Sequence, residues 1–380
     1  MLGVDIFWIG WAFASYQAIY LKEVGFTASD LGLLNAICSA VGIASVAFWG
    51  MVSDRIGSVR KVLMLVLGCA GLLYALVPLI PTGLPVSPLL LTMALPVVNF
   101  FRASTTTYVD NLLVRNCHEL GMNFGLLRGT GSFIYTVGSV SITMIVPYLG
   151  TASTFWIFGL LMILPIFFTL FVREPDAQPK RASGGRKSMA LGELFRSKPY
   201  IIFLVFTLLY DIARNCEANF IPYFMEAVGV PAGQYGIVQG YRVIFEVPFL
   251  FLMLRLRRRF SLRTMILSAP VLMALECVGF GLFANSLAGM LIFCTFFGLG
   301  QGLFIGSSLN YVYELAPIHL KASAQAFFVS VSSVAAILGN LLGGITFDAV
   351  GAKPYYLLVA GLYLLSAGFF LATSHKKKIT

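Results

Sequence analysis

Gly50-Met-Val-Ser-Asp54-Arg55-Ile-Gly57-Ser-Val-Arg60-Lys61 is a short charged insert between two apolar runs, roughly Ala28–Met51 and Val62–Leu79. Each run is long enough to cross a hydrocarbon core, which takes about 20 residues of helix. The insert therefore reads as a tight turn at one membrane face. A degenerate echo, Arg258-Arg259-Phe260-Ser261-Leu262-Arg263, lies between two later runs. A second loop is copied as well. Val24-Gly25, followed seven residues later by Gly32, returns as Val228-Gly229 followed by Gly236. Arg60 and Tyr108 recur one residue out of that register, as Arg263 and Tyr311.

Working outward from these anchors gives twelve apolar runs, the second six organised like the first. They fall near Val4–Leu21, Ala28–Met51, Val62–Leu79, Leu89–Asp110, Phe124–Tyr148, Thr154–Val172, Tyr200–Met225, Tyr235–Leu254, Met265–Phe283, Leu287–Tyr313, Ala322–Phe347 and Tyr355–Thr373. The fold expected is an all-α membrane protein of twelve transmembrane helices in two six-helix pseudo-repeats. Its parts are a bundle over 1–172, a linker over 173–198 and a second bundle with a tail over 199–380. A parallel six-plus-six repeat with a cavity between the halves, near the bilayer midplane, is how many secondary transporters are built.

Composition agrees. Of 380 residues 58% are hydrophobic and only 11% charged, against roughly 25% charged in a soluble domain. The net charge of +10 is placed by topology, so nucleic acid is not an expected partner. Arg55, Arg60 and Lys61, the basic linker 173–198, the cluster Arg255–Arg263 and Lys376–Lys378 all fall on one side, against Lys22 and Lys353 on the other. That asymmetry predicts a plasma-membrane protein with both termini cytoplasmic. Met1–Asp5 has neither a basic start nor a small-residue cleavage site, so no removable signal peptide is expected. The linker REPDAQPKRASGGRKSMALGELFRSK mixes Pro, Gly, Ser and charge and cannot bury itself. The six cysteines show no metal-type spacing and read as packed thiols. Gly125-x3-Gly129, Gly302-x3-Gly306 and Gly339-x3-Gly343 read as close helix contacts.

The quoted insert, with Gly50, Asp54-Arg55, Gly57 and the basic Arg60, resembles the signature cytoplasmic loop of the major facilitator superfamily, where it acts as a gating latch. Within that superfamily the chain is most similar to the oligosaccharide–proton symporter, lactose permease-like branch. Three patches carry the likeness: Asp110 and Arg128 with Phe124-Gly125 and Gly131, Tyr210-Asp211 with Ala218-Asn219-Phe220, and Leu315–Gln325 running on to Gly343-Gly344. The resemblance implies the major facilitator fold, alternating access and a small-molecule substrate. It also implies sugar binding at Asp110 and Arg128, where the branch has Glu for Asp110. Tyr135 stands where the branch stacks a Trp on the sugar, and Asn219 joins the solute ligands. The branch's coupling His, Glu, Arg and two Lys are replaced here by Phe296, Leu299, Glu276, Phe293 and Val329. Coupling must then use other groups.

Those groups are the ionisable residues in or at the ends of spans: Arg102, Asp110, Arg128, Asp211, Arg214, Glu217, Arg242, Glu246 and Glu276. Such residues are costly in lipid and face protein or water. Asp211–Arg214 at i,i+3 and Arg242–Glu246 at i,i+4 can each share a helix face. Glu276 and Glu217 are the first candidates for a proton carrier, Glu246 the third. Glu276 pairing with Arg214 across helices is the plainer alternative. Arg102 and Arg128 would suit an anionic solute, and Trp11, Tyr16 and Tyr135 offer faces to a pyranose. Gln301, Asn310 and Asn340 are further hydrogen-bonding candidates, and Trp49 and Trp156 are expected at the interface.

Proton symport of a sugar, oligosaccharide or glycoside is the leading expectation, with protons as coupling ion, no cofactor, no metal and a monomeric state. Uptake of a small organic acid, drug–proton antiport and a non-transporting sensor are the alternatives. Gly131–Gly138 holds no proline, which weighs against antiport, and no soluble output domain is seen. No nucleophile–base pair, metal cluster or phosphate loop points to an enzyme.

Overall fold

The computed structural model describes residues 2–120, 124–171 and 193–374. Helices α1 (Leu2–Ala14) and α2 (Gln17–Glu23) fill the first expected span. Then come α3 (Ala28–Ile56), α4 (Val59–Leu76), α5 (Ser87–Leu120), α6 (Phe124–Leu149) and α7 (Ser153–Phe171). The second half runs α8 (Lys198–Asn219), α9 (Ile221–Ala227), α10 (Tyr235–Arg259), α11 (Leu262–Leu282), α12 (Leu287–Leu315), α13 (Lys321–Val350) and α14 (Ala352–Thr373).

Among the described residues, 9 helices are by themselves long and apolar enough to cross a membrane. The other three expected spans are helical too, and each has a reason for falling short. The first is broken. At Ser15 and Tyr16 the backbone N–H groups reach the carbonyls of Ala12 and Phe13, three residues back, at 3.2 Å each, which interrupts the α ladder. The seventh is broken at Phe220, and Pro222 in the first turn of α9 has no N–H to continue α8. It also carries Asp211, Arg214 and Glu217, while the eighth carries Arg242, Glu246 and a basic end. The break after α8 leaves carbonyls without helical donors. Two neighbouring tyrosines of α14 supply them: the Tyr355 hydroxyl donates to the Cys216 carbonyl at 2.8 Å and the Tyr356 hydroxyl to the Glu217 carbonyl at 3.1 Å.

The Gly50–Lys61 insert is a turn of known construction. Gly57 takes a left-handed φ of 69°, and its N–H donates to Ser53, the usual glycine end of a helix. Ser58 then starts α4 by accepting the Lys61 N–H at 3.2 Å. In the second half Ser261 starts α11 by accepting the Thr264 N–H at 3.1 Å. The echo is therefore structural. Ser58→Ala and Ser261→Ala are each expected to cost about 1 kcal/mol, measurable as lowered thermal unfolding in detergent and additive in the double variant. Gly25 and Gly229 of the other copied loop also share positive φ, 100° and 73°.

By packing, the chain divides into Met1–Pro179 with Val230–Val243, and Lys180–Gly229 with Ile244–Thr380. Helix α10 is thus shared between the two. In the first unit, the first helix packs on the fifth and sixth spans (α1 on α6 and α7), and the third span on the fourth and sixth (α4 on α5 and α7). In the second unit α8 packs on α13 and α14, and α11 on α12 and α14, the same neighbours. Glycines make the closest crossings. A Cβ on Gly71 would stand 2.9 Å from the Gly159 carbonyl. On Gly302 it would meet the Glu246 carbonyl at 2.9 Å, and on Gly339 that of Ile212 at 2.7 Å. Gly125 and Gly129 lie where side-chain surroundings are outside the description. Trp49, expected at the interface, is buried instead, its indole N–H donating to the Phe100 carbonyl at 3.1 Å, whereas Trp156 is exposed. Five of the six cysteines are buried.

Candidate functional site

In the first unit the polar focus is Arg102, on α5 roughly 22 Å along the helix from its first residue. Its Nη1 donates to Gln17 Oε1 at 3.1 Å and its Nη2 to Asn99 Oδ1 at 3.4 Å. The guanidinium lies 5.6 Å from the Trp11 ring centre and 5.2 Å from that of Tyr74. Each partner is itself held. Gln17 is buried at the first residue after the break between α1 and α2. The Asn99 amide nitrogen donates to the Cys38 carbonyl at 2.7 Å, which turns its oxygen toward Arg102. Tyr74 donates to the Ala14 carbonyl at 3.3 Å and stacks on Phe155 at 4.5 Å.

Arg102 and Trp11, both expected as solute ligands, are thus brought together. Asp110 lies about two turns further along the same helix and is half-buried. Arg128 is on α6, but its side chain is outside the described residues. Tyr135 is half-buried on α6. Tyr16 is wholly enclosed, which withdraws its ring from solute: its hydroxyl donates to the Gly233 carbonyl at 3.2 Å and accepts the Gly236 N–H at 2.8 Å. Arg242, on the α10 segment that packs in this unit, is buried with 1% exposure.

In the second unit Arg214 Nε meets Asp211 Oδ1 at 3.0 Å, the i,i+3 pair read from the spacing. Glu217 and Glu276 are both fully enclosed, on α8 and α11, while Glu246 on α10 is half-buried. Tyr210 stacks on Phe304 with ring centres 4.0 Å apart, and its hydroxyl donates to Gln301 Oε1 at 3.4 Å. Asn219 donates to Asn340 Oδ1 at 2.8 Å and to the Asn215 carbonyl at 3.1 Å. Asn310 donates to the Gly306 carbonyl and receives Arg257 at 3.4 Å, beside the Arg257–Glu314 pair at 3.3 Å. In the signature loop Asp54 and Arg55 are exposed, while Gly50 and Arg60 are partly covered.

Gln17, Asn99 and Tyr74 were not singled out from sequence. Counting neutral polar residues inside spans, and not only ionisable ones, is the signal that marks Gln17 and Asn99. Among the described residues no group of three or more His, Cys, Asp or Glu is placed to hold a metal.

The family model described as "MFS_1 like family" matches residues 9–358. The uncharacterized transporter YwbF of Bacillus subtilis (strain 168) is 25% identical, over 96% of this chain and 92% of its own. The sucrose permease of Escherichia coli is 23% identical, over 98% of this chain and 92% of its own. A crystal structure of nucleoside transporter NupG matches with a TM-score of 0.82 at 16% identity, covering 99% of each chain. With the helical architecture above, these place the chain in a fold and a family: it belongs to the MFS_1 like family, is a multi-pass secondary transporter of the major facilitator fold for a small molecule, and is not an enzyme.

Proposed function

We propose that the protein carries a sugar, oligosaccharide or small glycoside across the plasma membrane together with protons, by alternating access. The observation that carries this reading is the pair of fully enclosed carboxyls, Glu217 and Glu276, in the second unit, while the first unit holds Arg102 among aromatic faces and amides. A carboxyl held out of water exchanges its proton only as its surroundings change, and a solute held elsewhere can be made to depend on that step. Asp110, Arg128, Arg102, Tyr135, Trp11 and Asn219 are assigned to solute. Asp211, Arg214, Glu217, Arg242, Glu246 and Glu276 are assigned to the charge network that couples the proton. Gly50, Asp54, Arg55, Gly57 and Arg60 form the gating turn.

The same reading makes residues 1–172 and 199–380 the two moving bundles, with both termini in the cytoplasm and a monomer as the working unit. Similarity to a sucrose permease supports a carbohydrate. The matched NupG is a nucleoside transporter, and a nucleoside also contains a sugar. The test is counterflow in proteoliposomes loaded with pooled sugars and glycosides. Protein-dependent exchange of labelled sugar, absent in Arg128→Ala, is expected. Exchange with pooled non-carbohydrate acids alone would contradict the reading.

A further inference from the structure

We propose that the transported solute carries a carboxylate and that Arg102 is the residue that receives it. The substrate class is then an acidic carbohydrate, a uronic or aldonic acid or its glycoside. This rests on the carbohydrate reading above and narrows it.

The first support is charge. Among the described residues no carboxylate pairs with Arg102; its contacts are two amide oxygens and two aromatic faces. Arg214, by comparison, has Asp211 at 3.0 Å. A cation at mid-span depth calls for a compensating anion, and amides with ring faces stabilise it without cancelling it. The second support is the balance of donors and acceptors. Arg102 Nε and the Trp11 indole N–H are enclosed and have no acceptor. The Nη2 contact to Asn99, at 3.4 Å, is at the long end of hydrogen-bonding range. The Nε–Nη2 edge is the one a carboxylate takes side-on, with two oxygens against two N–H groups. A carboxylate brings acceptors and no donors, whereas a neutral hydroxyl brings a donor to a place already rich in them.

The third support is construction. Gln17 and Asn99 are fixed by the helix break and by the Cys38 carbonyl, so their oxygens are already aimed at the guanidinium. Arg102 itself remains only half-buried. The Trp11 ring beside it offers a flat apolar surface for the C–H face of a pyranose.

The test is calorimetric titration of the wild-type protein in lipid nanodiscs with D-glucuronate, D-galacturonate and D-gluconate. Each is compared with its uncharged amide, with glucose, with glucose 6-phosphate, and with acetate and benzoate as carboxylates that carry no sugar. The acids are expected to bind at least about tenfold more tightly than their amides. In Arg102→Gln that ratio should fall to about one, and Arg102→Lys should restore part of it. Equal binding of acid and amide by the wild type, which needs no variant to fold, overturns the inference and leaves the carbohydrate reading standing. So does a preference that survives Arg102→Gln. Tighter Arg102-dependent binding of glucose 6-phosphate than of the acids would assign a phosphate and overturn the carboxylate. Arg102-dependent binding of acetate or benzoate with no carbohydrate bound keeps the carboxylate site and sinks the carbohydrate reading. Absence of binding by every probe overturns both.

Discussion

Glu276→Gln is expected to leave solute exchange running and to abolish proton-driven accumulation. Glu276 is fully enclosed on α11, in a stretch whose other buried residues are mostly apolar. Glutamine keeps the shape and hydrogen-bonding capacity of the protonated acid but cannot release a proton. A carrier locked in that form still shuttles loaded, so counterflow should stay within a few-fold of wild type. Net uptake against a gradient should vanish. With one proton per solute, each imposed pH unit sustains roughly a tenfold solute ratio; the variant should settle at one. Uptake driven by an imposed pH step, read beside counterflow on the same vesicles, separates the two effects. Accumulation retained in Glu276→Gln would remove that residue as the carrier and pass the role to Glu217, the other enclosed candidate.

Gly236→Val should be among the most damaging single changes to stability. Gly236 begins the close approach of α10 to α6. A Cβ there would lie 1.9 Å from the Ser139 carbonyl, 2.8 Å from Thr143 Oγ1 and 2.9 Å from the Tyr16 hydroxyl. The first of these is helix backbone and cannot swing aside. One turn on, a Cβ at Gly240 would meet the Val140 side chain at 3.1 Å and the Thr136 carbonyl at 3.2 Å. Between helices in lipid, close packing is a main source of association, so separating this pair removes what holds it. Overpacking costs typically 1–3 kcal/mol; the bonds from Tyr16 to Gly233 and Gly236 would go with it. Gly236→Val should therefore unfold several degrees below wild type in detergent, with Gly240→Ala affected less. Equal melting of Gly236→Val and wild type would refute the close-approach argument.

Much of this was legible because membrane spans announce themselves by length and hydropathy. The loop glycine Gly57, the capping Ser58 and its echo near Ser261 could be read because a helix end has local chemistry. The Asp211–Arg214 pair was fixed by helical spacing alone. The breaks were less visible. Ser15-Tyr16 has neither proline nor glycine, and the interruption is tied to Tyr16 reaching the α10 segment and Gln17 reaching Arg102, which are tertiary contacts. Helix α5 runs on to Leu120, past the end expected at Asp110, because the polar stretch after Asp110 has no helix-stopping residue. The surroundings of Arg102 were hidden for a simpler reason: Trp11, Gln17 and Tyr74 come from three other helices and share no local pattern, and only Asn99, three residues before Arg102 on α5, is a helical neighbour.

Coupling of solute to protons is the central claim, and proton movement tests it most directly. The protein would be placed in proteoliposomes with a trapped pH dye and no imposed gradient, and pooled sugars, then pooled acids, added outside. Protein-dependent acidification of the lumen on adding carbohydrate, neutral or acidic, is the expected result. Net entry of labelled carbohydrate down its own gradient with no pH change would contradict it, because the solute would then cross without its proton.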